Sequence, residues 1–379
     1  MIVAGEVSGD SHAAHLVEHL RERAPQIEFE FFGLTGEKMR VSGIETVVRA
    51  DDLAIMGLLE IGRALPKFWR VFQTLKQAAV ARKPDAVILV DFPDFNLPLA
   101  KALKKLGLRV IYYVSPQLWA WRSYRVRAVR RDVDLLLAIL PFEKAWYNAR
   151  GFNAVEYIGH PLVGEVRPAI GRDEFCHQHN LNPALPVIAL LPGSRGKEVA
   201  RILPPMLEAV ARLHRENSQI QFLIAQAATR TRAEIAEIIE KLQDKLPPIL
   251  IVESQTREAI GAADAAAVAS GTATLETALI GTPLVVCYRV AAHNWHTLRH
   301  LIRVPHYGLV NLIAGKRLAT ELIQNDLNGE RLANEMRKLL EPQTNKLMRQ
   351  QLGETAAKLE TGGASKLAAE KILGFLLKT

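Results

Sequence analysis

The sequence is poor in cysteine, with two in 379 residues, Cys176 and Cys287. They lie far apart and lack the spacing of metal ligands, which suits a reducing cytoplasm and argues against a disulfide framework. No charge-free apolar stretch is long enough to span a bilayer. The first residues lack a basic region followed by a long apolar segment, so we expect no signal peptide.

Basic runs interleaved with stacking aromatic residues are also missing, which makes nucleic acid the weakest candidate partner. The formal net charge is nevertheless +8. This charge favours phosphates or an anionic lipid surface, unless most of the Lys and Arg side chains only solvate helix faces. With 49% hydrophobic residues the chain is globular and long enough to build two sizeable cores.

Short apolar runs alternate with amphipathic stretches along the whole chain. This repetition predicts an α/β fold of two Rossmann-like domains, each a doubly wound parallel sheet, facing each other across a cleft. We expect the domains at 1–165 and 166–343, followed by a helical segment at 344–379. That segment packs back on the first domain or on a partner subunit. One early strand is predicted from Glu28 to Phe32.

Asp91 follows an apolar run that starts at Val87 and is typical of a strand buried on both faces. Ligands bind at the carboxyl edge of an open parallel sheet, so Asp91 is expected in a crevice and not in a core. A carboxylate there, followed by two aromatic residues, can hold a raised pKa suited to accepting a proton. The alternative is that Asp91 or Asp94 caps the helix beginning near Phe95. Asp94 fits the cap better, which leaves Asp91 for chemistry.

Two glycine-containing turns between strand and helix stand out in the second half. Their residues are Gly193, Ser194, Arg195, Gly271 and Thr272. Helix N-termini at such turns attract anions, and an arginine fork can clamp a diphosphate. Glu276, one helical turn after Thr272, can accept hydrogen bonds from ribose hydroxyls. The pair favours a nucleotide diphosphate, although each turn alone is equally an ordinary βα turn.

The first loop, Gly5 to Asp10, differs from the dinucleotide fingerprint G-x-G-x-x-G, and Glu6 would repel a pyrophosphate. We therefore assign it to a substrate that carries hydroxyls. Asp132 and Asp134 have the spacing of the Asp-x-Asp motif that binds metal in some sugar transferases. They directly precede an apolar strand and lack neighbouring ligands. The favoured interpretation is therefore that they form the turn before that strand. We expect no metal and no cofactor.

Six segments carry a resemblance to a known family: Ala4–Asp10, Asp91–Asn96, Tyr113–Arg122, Leu140–Glu143, Leu191–Gly196 and Ala269–Ala273. Together they closely resemble lipid-A-disaccharide synthases over essentially the whole chain. The resemblance implies an inverting glycosyltransferase of the GT-B architecture. It would join UDP-2,3-diacylglucosamine to 2,3-diacylglucosamine 1-phosphate through a β-1,6 bond and release UDP.

The resemblance also implies roles for single residues. Asp91 aligns with the proposed general base, which deprotonates the 6-hydroxyl of the acceptor bound by the first domain. The substrate-binding positions it implies are Glu6, Ser8, Gly9, Gly193, Ser194, Arg195, Gly271, Thr272, Glu276 and Asn311. Without a metal, Arg195 and the two helix N-termini must meet the charge growing on UDP. A homodimer through exchanged C-terminal segments is implied as well.

Two alternatives of other classes stay open at this point. A UDP-sugar 2-epimerase uses the same two-domain fold, and a non-catalytic lipid or nucleotide carrier would need no base at Asp91. Turnover with the second sugar omitted separates an epimerase from a transferase.

An apolar stripe at helical spacing suggests where the protein meets lipid. It consists of Leu58, Ile61, Leu65, Phe68, Trp69, Phe72 and Leu75. Lys67 and Arg70 flank it, a combination typical of a helix at a membrane interface, although a helix docked on the sheet shows the same period. We expect a cytoplasmic protein, peripheral on the inner face of the bacterial inner membrane.

Overall fold

The computed structural model describes residues 1–51, 61–242, 246–298, 304–359 and 362–377. The chain divides into two compact units, Met1–Pro161 with Leu359–Thr379, and Leu162–Lys358. Each unit is built around one parallel sheet, of seven strands in the first and six in the second. The predicted α/β class with two doubly wound parallel sheets is confirmed.

The sheet of the first unit has the order β3-β2-β1-β4-β5-β6-β7. Its strands are β1 (Ile2–Ala4), β2 (Phe32–Thr35), β3 (Glu45–Arg49), β4 (Ala86–Val90), β5 (Arg109–Tyr113), β6 (Leu135–Ala138) and β7 (Val155–Tyr157). The strand order reverses between β1 and β4, where Ala4 pairs with Val90. A crevice forms at the carboxyl edge of such a reversal, so the chain just after Ala4 and Val90 occupies the ligand position.

The sheet of the second unit has the order β10-β9-β8-β11-β12-β13. Its strands are β8 (Val187–Leu191), β9 (Gln221–Gln226), β10 (Ile249–Glu253), β11 (Ala265–Ala269), β12 (Leu284–Tyr288) and β13 (Glu321–Ile323). Here the order reverses between β8 and β11, where Leu191 pairs with Val268. The two glycine-containing turns, which follow these strands, are therefore neighbours at the ligand edge.

Helices cover both faces of each sheet. Those of the first unit are α1 (Val7–Arg23), α2 (Glu37–Val41), α3 (Ile61–Arg82), α4 (Pro93–Lys104), α5 (Val126–Asp132) and α6 (Glu143–Asn148). Those of the second are α7 (Arg172–Gln178), α8 (Gly196–Glu216), α9 (Arg232–Lys241), α10 (Thr256–Ala262), α11 (Thr272–Ile280), α12 (Ala292–Leu298), α13 (Leu309–Ala314), α14 (Gly329–Leu340) and α15 (Pro342–Ala357). A last helix, α16 (Ala364–Leu376), returns to the first unit. Among the described helices, none combines the length and hydropathy needed to cross a bilayer.

The strand predicted from Glu28 to Phe32 is wrong, since β2 begins at Phe32 and its four residues are all buried. In the preceding segment Phe29 and Phe31 stack on each other at 5.5 Å between ring centroids, and both pack on the core from outside the sheet. Their glutamate neighbours point away. An alternating segment of this kind suits one covered face, whereas β2 is covered on both faces.

The C-terminal residues divide between the two units. The buried Leu352 of α15 belongs to the core of the second unit. The helix α16 packs on α1, where Ala368 and Ile372 are buried with Leu16, and the Ser365 hydroxyl lies 3.2 Å from the Tyr113 hydroxyl. The break therefore falls after Lys358 and not at the predicted residue 344.

We expect Ile372→Ala to destabilise the first unit by about 2–4 kcal/mol, because it leaves a cavity between α16 and α1. Leu377→Ala is the matched control, since Leu377 is exposed just beyond α16. Urea unfolding followed by tryptophan fluorescence reports mainly this unit, because it holds four of the five tryptophans, and Trp295→Phe in both proteins removes the signal of the second unit. An Ile372→Ala transition identical to that of the control would contradict the packing.

Candidate active site

The backbone at Asp91 is held in an uncommon conformation. Asp91 and Phe92 both have left-handed angles, with φ of +46° and +48°. The Asn96 amide donates to the carbonyl oxygens of Val90 (3.1 Å) and Asp91 (2.8 Å), and the Tyr112 hydroxyl donates to that of Asp91 at 2.7 Å. Each left-handed non-glycine residue costs about 1–3 kcal/mol, and such strain is typical of functional sites.

The prediction that Asp94 caps the following helix is wrong. The cap residue of α4 is Phe92, with Pro93 at the first helical position. The Asp94 carboxylate instead forms ion pairs with two guanidinium groups. Arg122 donates a hydrogen bond to it at 2.8 Å, and a guanidinium nitrogen of Arg125 lies 2.7 Å from it. Proline suits the first turn because its missing N–H would have no partner there.

Asp91 itself is half-buried and electrostatically perturbed. Burial, and then the nearby charge of Glu6, raise its pKa to about 6, while the Phe92 N–H acts in the opposite direction. The carboxylate is therefore the main form near neutral pH yet is basic enough to take a proton from a hydroxyl. A general base needs this combination.

The first loop divides its residues between packing and exposure. Gly5 faces Phe92, and a Cβ at Gly5 would lie 2.5 Å from the Phe92 ring. Gly9 is buried, and a Cβ at this position would lie in ordinary contact, 3.6 Å from the side chains of Ala4 and Val90. Glu6 and Ser8 are exposed at the ligand edge. Asp10 turns inward and accepts hydrogen bonds from the first N–H groups of α2.

An aromatic cluster of Phe68, Phe72, Phe92 and Phe95 adjoins the Asp91 turn, with ring centroids 5.6 to 6.3 Å apart. Trp69 stacks on Phe72 from outside and stays 62% exposed.

The predicted stripe thus divides along its length. Leu75 is core, Phe68 and Phe72 are half-buried and Trp69 is exposed. Leu58 lies outside the described residues, as do the side chains of Ile61 and Leu65.

A buried carboxyl group that sequence reasoning missed supports the next loop. Glu143 is fully buried and accepts from the Trp119 indole at 2.9 Å and from the N–H groups of Ile139 and Leu140 at 3.0 Å. Burial raises its pKa to about 7, and these hydrogen bonds oppose the rise. Glu143 thereby positions the loop after β5.

In the second unit, the turn after β8 presents Arg195. Its guanidinium is exposed, and Arg195 is the cap residue of α8. Gly193 has φ +114°, and a Cβ there would enter the Glu198 carboxylate. Glu198, which sequence reasoning missed, accepts from the Ser194 N–H at 3.1 Å. Because the Ser194 N–H already has this partner, the groups that can bind an anion at this turn are Arg195 and the N-terminus of α8.

The turn after β11 has a glycine conformation at Gly271, with φ +154°. Thr272 is exposed at the start of α11, and Thr274 donates to the Gly271 carbonyl oxygen at 2.8 Å. Glu276 lies one helical turn after Thr272 and is half-buried. Burial raises its pKa, and Arg257 acts against the rise.

Asn311 does not reach a ligand position. It is fully buried, its amide nitrogen donates to Ala319 and Glu321 at 2.8 Å, and its oxygen accepts from two backbone N–H groups. Glu321 also accepts from the N–H groups of Tyr307 and Gly308. Because all its hydrogen-bonding groups have partners, Asn311 is corrected from a nucleotide contact to a residue that positions the loop between α13 and β13.

The Asp-x-Asp pair takes part in structural contacts. Asp132 is paired with Arg131 at 2.6 Å. Asp134 is paired with Lys104 and accepts from the Val110 N–H at 2.8 Å. Within the described ranges, no three His, Cys, Asp or Glu side chains cluster as metal ligands would.

Comparison with known proteins adds a second line of observation. A family model described as lipid-A-disaccharide synthetase matches residues 1–373. The lipid-A-disaccharide synthase of Syntrophus aciditrophicus is 43% identical over 380 residues, which cover 100% of this chain and 98% of that protein. That of Myxococcus xanthus is 43% identical over 377 residues, which cover 99% and 97%.

Solved structures share the fold at low identity. A putative UDP-N-acetylglucosamine 2-epimerase from Listeria monocytogenes has a TM-score of 0.66 at 16% identity, over 100% of this chain and 96% of its own. MurG from Acinetobacter baumannii has a TM-score of 0.57 at 16% identity, over 99% and 98%.

We expect Asp91 to titrate near pH 6, and Glu6→Gln to lower that pKa because it removes a neighbouring negative charge. Carbon-13 NMR of labelled aspartate, with Asp91→Asn to assign the signal, measures both values. Glu18→Gln is the control, since Glu18 is exposed further along α1. A titration near pH 4, unaffected by Glu6→Gln, would contradict this description of the site.

Proposed function

The chain belongs to the lipid-A-disaccharide synthase family, and on this basis we propose how its residues carry out the family's reaction. It is a glycosyltransferase that condenses UDP-2,3-diacylglucosamine with 2,3-diacylglucosamine 1-phosphate. The products are UDP and the β-1,6-linked lipid A disaccharide 1-phosphate. The observation that carries this conclusion is the family match over 1–373, with relatives 43% identical along essentially their whole length.

Asp91 is the proposed general base of the first unit. Its carboxylate takes the proton of the acceptor 6-hydroxyl while that oxygen bonds to the donor's anomeric carbon with inversion. The bond from that carbon to UDP breaks, and the electron pair leaves on the diphosphate. The raised pKa of Asp91 and its fixed backbone support this role.

The second unit is the proposed donor site. Arg195 and the N-termini of α8 and α11 meet the negative charge that grows on the departing UDP. Glu276 accepts hydrogen bonds from the ribose hydroxyls. Support comes from the pairing of Leu191 with Val268, which makes the two turns neighbours. Neither a metal nor a cofactor enters this proposal.

A UDP-sugar 2-epimerase is the alternative with the same architecture, and its support is fold likeness alone. Mass spectrometry of products from UDP-diacylglucosamine, with and without the monosaccharide phosphate, tests the assignment. We expect disaccharide phosphate and UDP only when both sugars are present. Donor turnover with the second sugar omitted would favour an epimerase, and no turnover in either case would favour a carrier.

We propose that the protein attaches to the inner face of the inner membrane through the exposed end of the aromatic cluster. Trp69 and Arg70 are exposed on α3, beside rings that continue to the Asp91 turn. Each basic residue near an anionic surface contributes about 1 kcal/mol, so attachment is reversible and weakened by salt. Diacylated substrates could then reach Asp91 from the bilayer.

Homodimerisation through the C-terminal segment stays a prediction. In this chain α16 covers α1 of its own unit, and an exchanged dimer would make the same contacts with the helix of a partner.

We expect Glu276→Ala to weaken UDP binding, and Arg195→Lys to slow turnover more than it weakens binding because the bidentate fork is lost. Calorimetry with UDP and steady-state kinetics separate the two effects. Glu258→Ala is the control, because Glu258 lies on α10 and accepts from the Ala169 N–H. Unchanged UDP affinity in Glu276→Ala would remove this residue from the nucleotide site.

We expect Trp69→Ser to release the protein from anionic liposomes at low salt without changing its melting temperature. Val80→Ser is the control, because Val80 is exposed on the same helix but lies away from the aromatic cluster. Phe68→Ser should instead lower the melting temperature, since Phe68 contacts Phe92 and Phe95. Undiminished flotation of Trp69→Ser would exclude this tryptophan as the anchor.

A further inference from the structure

A pair of arginines beside the Asp91 turn has no part in the function so far. Arg122 and Arg125 both contact the same oxygen, Oδ1 of Asp94, at 2.8 and 2.7 Å. The Asp94 side chain is 64% exposed, and both arginines are partly buried. Two positive charges thus meet one negative charge at a position open to solvent.

The pair lies at the same sheet edge as the proposed base. Asp94 is three residues after Asp91, at the start of α4, and Arg125 directly precedes α5, which packs on α4. The Tyr112 hydroxyl donates to the Asp91 carbonyl oxygen. Its pKa is raised by burial and is also shifted by the charges of Asp91, Asp94 and Arg125, which places these groups around one hydroxyl.

The backbone that presents Arg122 is strained. Arg122 has φ +55°, and its guanidinium lies 4.0 Å from the centroid of the Trp121 ring. Eight non-glycine residues of the described part have positive φ, and four of them follow β4 or β5 at this edge. Those four are Asp91, Phe92, Val114 and Arg122. Val114 is β-branched, for which this conformation is especially rare.

Stability does not explain the arrangement. Ion pairs to a carboxylate that is 64% exposed stabilise a fold only weakly, whereas a left-handed arginine is an unfavourable backbone conformation. Strain that local contacts do not repay is typical of a group held ready for a ligand. Two guanidiniums fixed by one carboxylate, with one of them stacked on a ring, keep further N–H donors for an anion.

We propose that Arg122 and Arg125 bind the anomeric phosphate of the acceptor sugar. This inference rests on the proposed function, in which the acceptor carries a phosphate monoester. The carbon that bears the anomeric phosphate, C1, and the carbon that carries the reacting hydroxymethyl group, C5, both adjoin the ring oxygen of one pyranose. A phosphate site must therefore lie beside the base but apart from the carboxylates of Asp91 and Glu6, as the position after β5 does. Guanidinium forks match the oxygens of a phosphate.

The phosphate itself is the variable that tests the proposal. Wild type, Arg122→Gln and Arg125→Gln are assayed in detergent micelles with diacylglucosamine 1-phosphate and with the same sugar lacking the phosphate. We expect kcat/KM for the phosphorylated acceptor to fall roughly 10- to 100-fold in each variant. With the dephosphorylated acceptor we expect less than a roughly threefold change, because the missing contact is already absent. The two acceptors should then differ less in the variants than in wild type.

Arg127→Gln is the matched control for charge, since Arg127 is exposed on α5 and should keep the wild-type preference. Arg125→Lys keeps the charge without the fork and should fall between wild type and Arg125→Gln. Melting temperatures identify any variant that fails to fold.

Three outcomes would overturn the proposal. Equal losses with both acceptors would make the pair a structural clamp, and no loss with either would remove it from the site. Reduced flotation on anionic vesicles with unchanged acceptor preference would make the arginines contacts to lipid phosphate. In each case wild type still forms the disaccharide, whereas failure of the proposed function would abolish that product in wild type as well.

Discussion

The hydrogen bonds that Asn96 and Tyr112 donate to the Asp91 carbonyl oxygen hold the first unit's site together. Two consecutive left-handed residues cost about 1–3 kcal/mol each, comparable to what a few buried hydrogen bonds return. Their partners come from α4 and β5, so the conformation depends on the strand order that places β5 beside β4. The carboxylate is thereby fixed at the sheet edge and partly withdrawn from water, which accounts for its raised pKa.

The molecule uses other buried polar groups as supports for loops. Glu143 fixes the loop after β5 through the Trp119 indole and two backbone N–H groups. Asn311 does the same for the loop after α13, and its partner Glu321 does so for the loop before that helix. Because these side chains have several hydrogen-bond partners within the protein, we infer that they are buried for a structural role. Asp91 differs, since its backbone is held while its carboxylate remains at the ligand edge.

The sequence predicted the sheets well because buried parallel strands are local apolar runs, as in β4, β8 and β11. It also placed Asp91 correctly after β4, although the accompanying prediction that Asp94 caps the next helix was wrong. The Asp94 carboxylate pairs with arginines 28 and 31 residues further along the chain, and no local sequence pattern reveals such a contact. Asn311 failed for a similar reason, since its partner Glu321 lies in the short strand β13, which was not predicted. Helical period put Phe68 and Trp69 in one stripe, and only packing separates the half-buried ring from the exposed one.

The central claim is that Asp91 is the base of sugar transfer, and the pH dependence of kcat/KM in wild type and Asp91→Asn tests it most directly. The wild-type rate should fall on the acid side with an apparent pKa near 6, as protonation removes the carboxylate. Asp91→Asn should be roughly 10²- to 10⁴-fold slower, should lose that acid limb and should bind UDP as wild type does. A variant with near-normal turnover, or with the same acid limb, would contradict the claim because the amide keeps the shape of the side chain without its basicity.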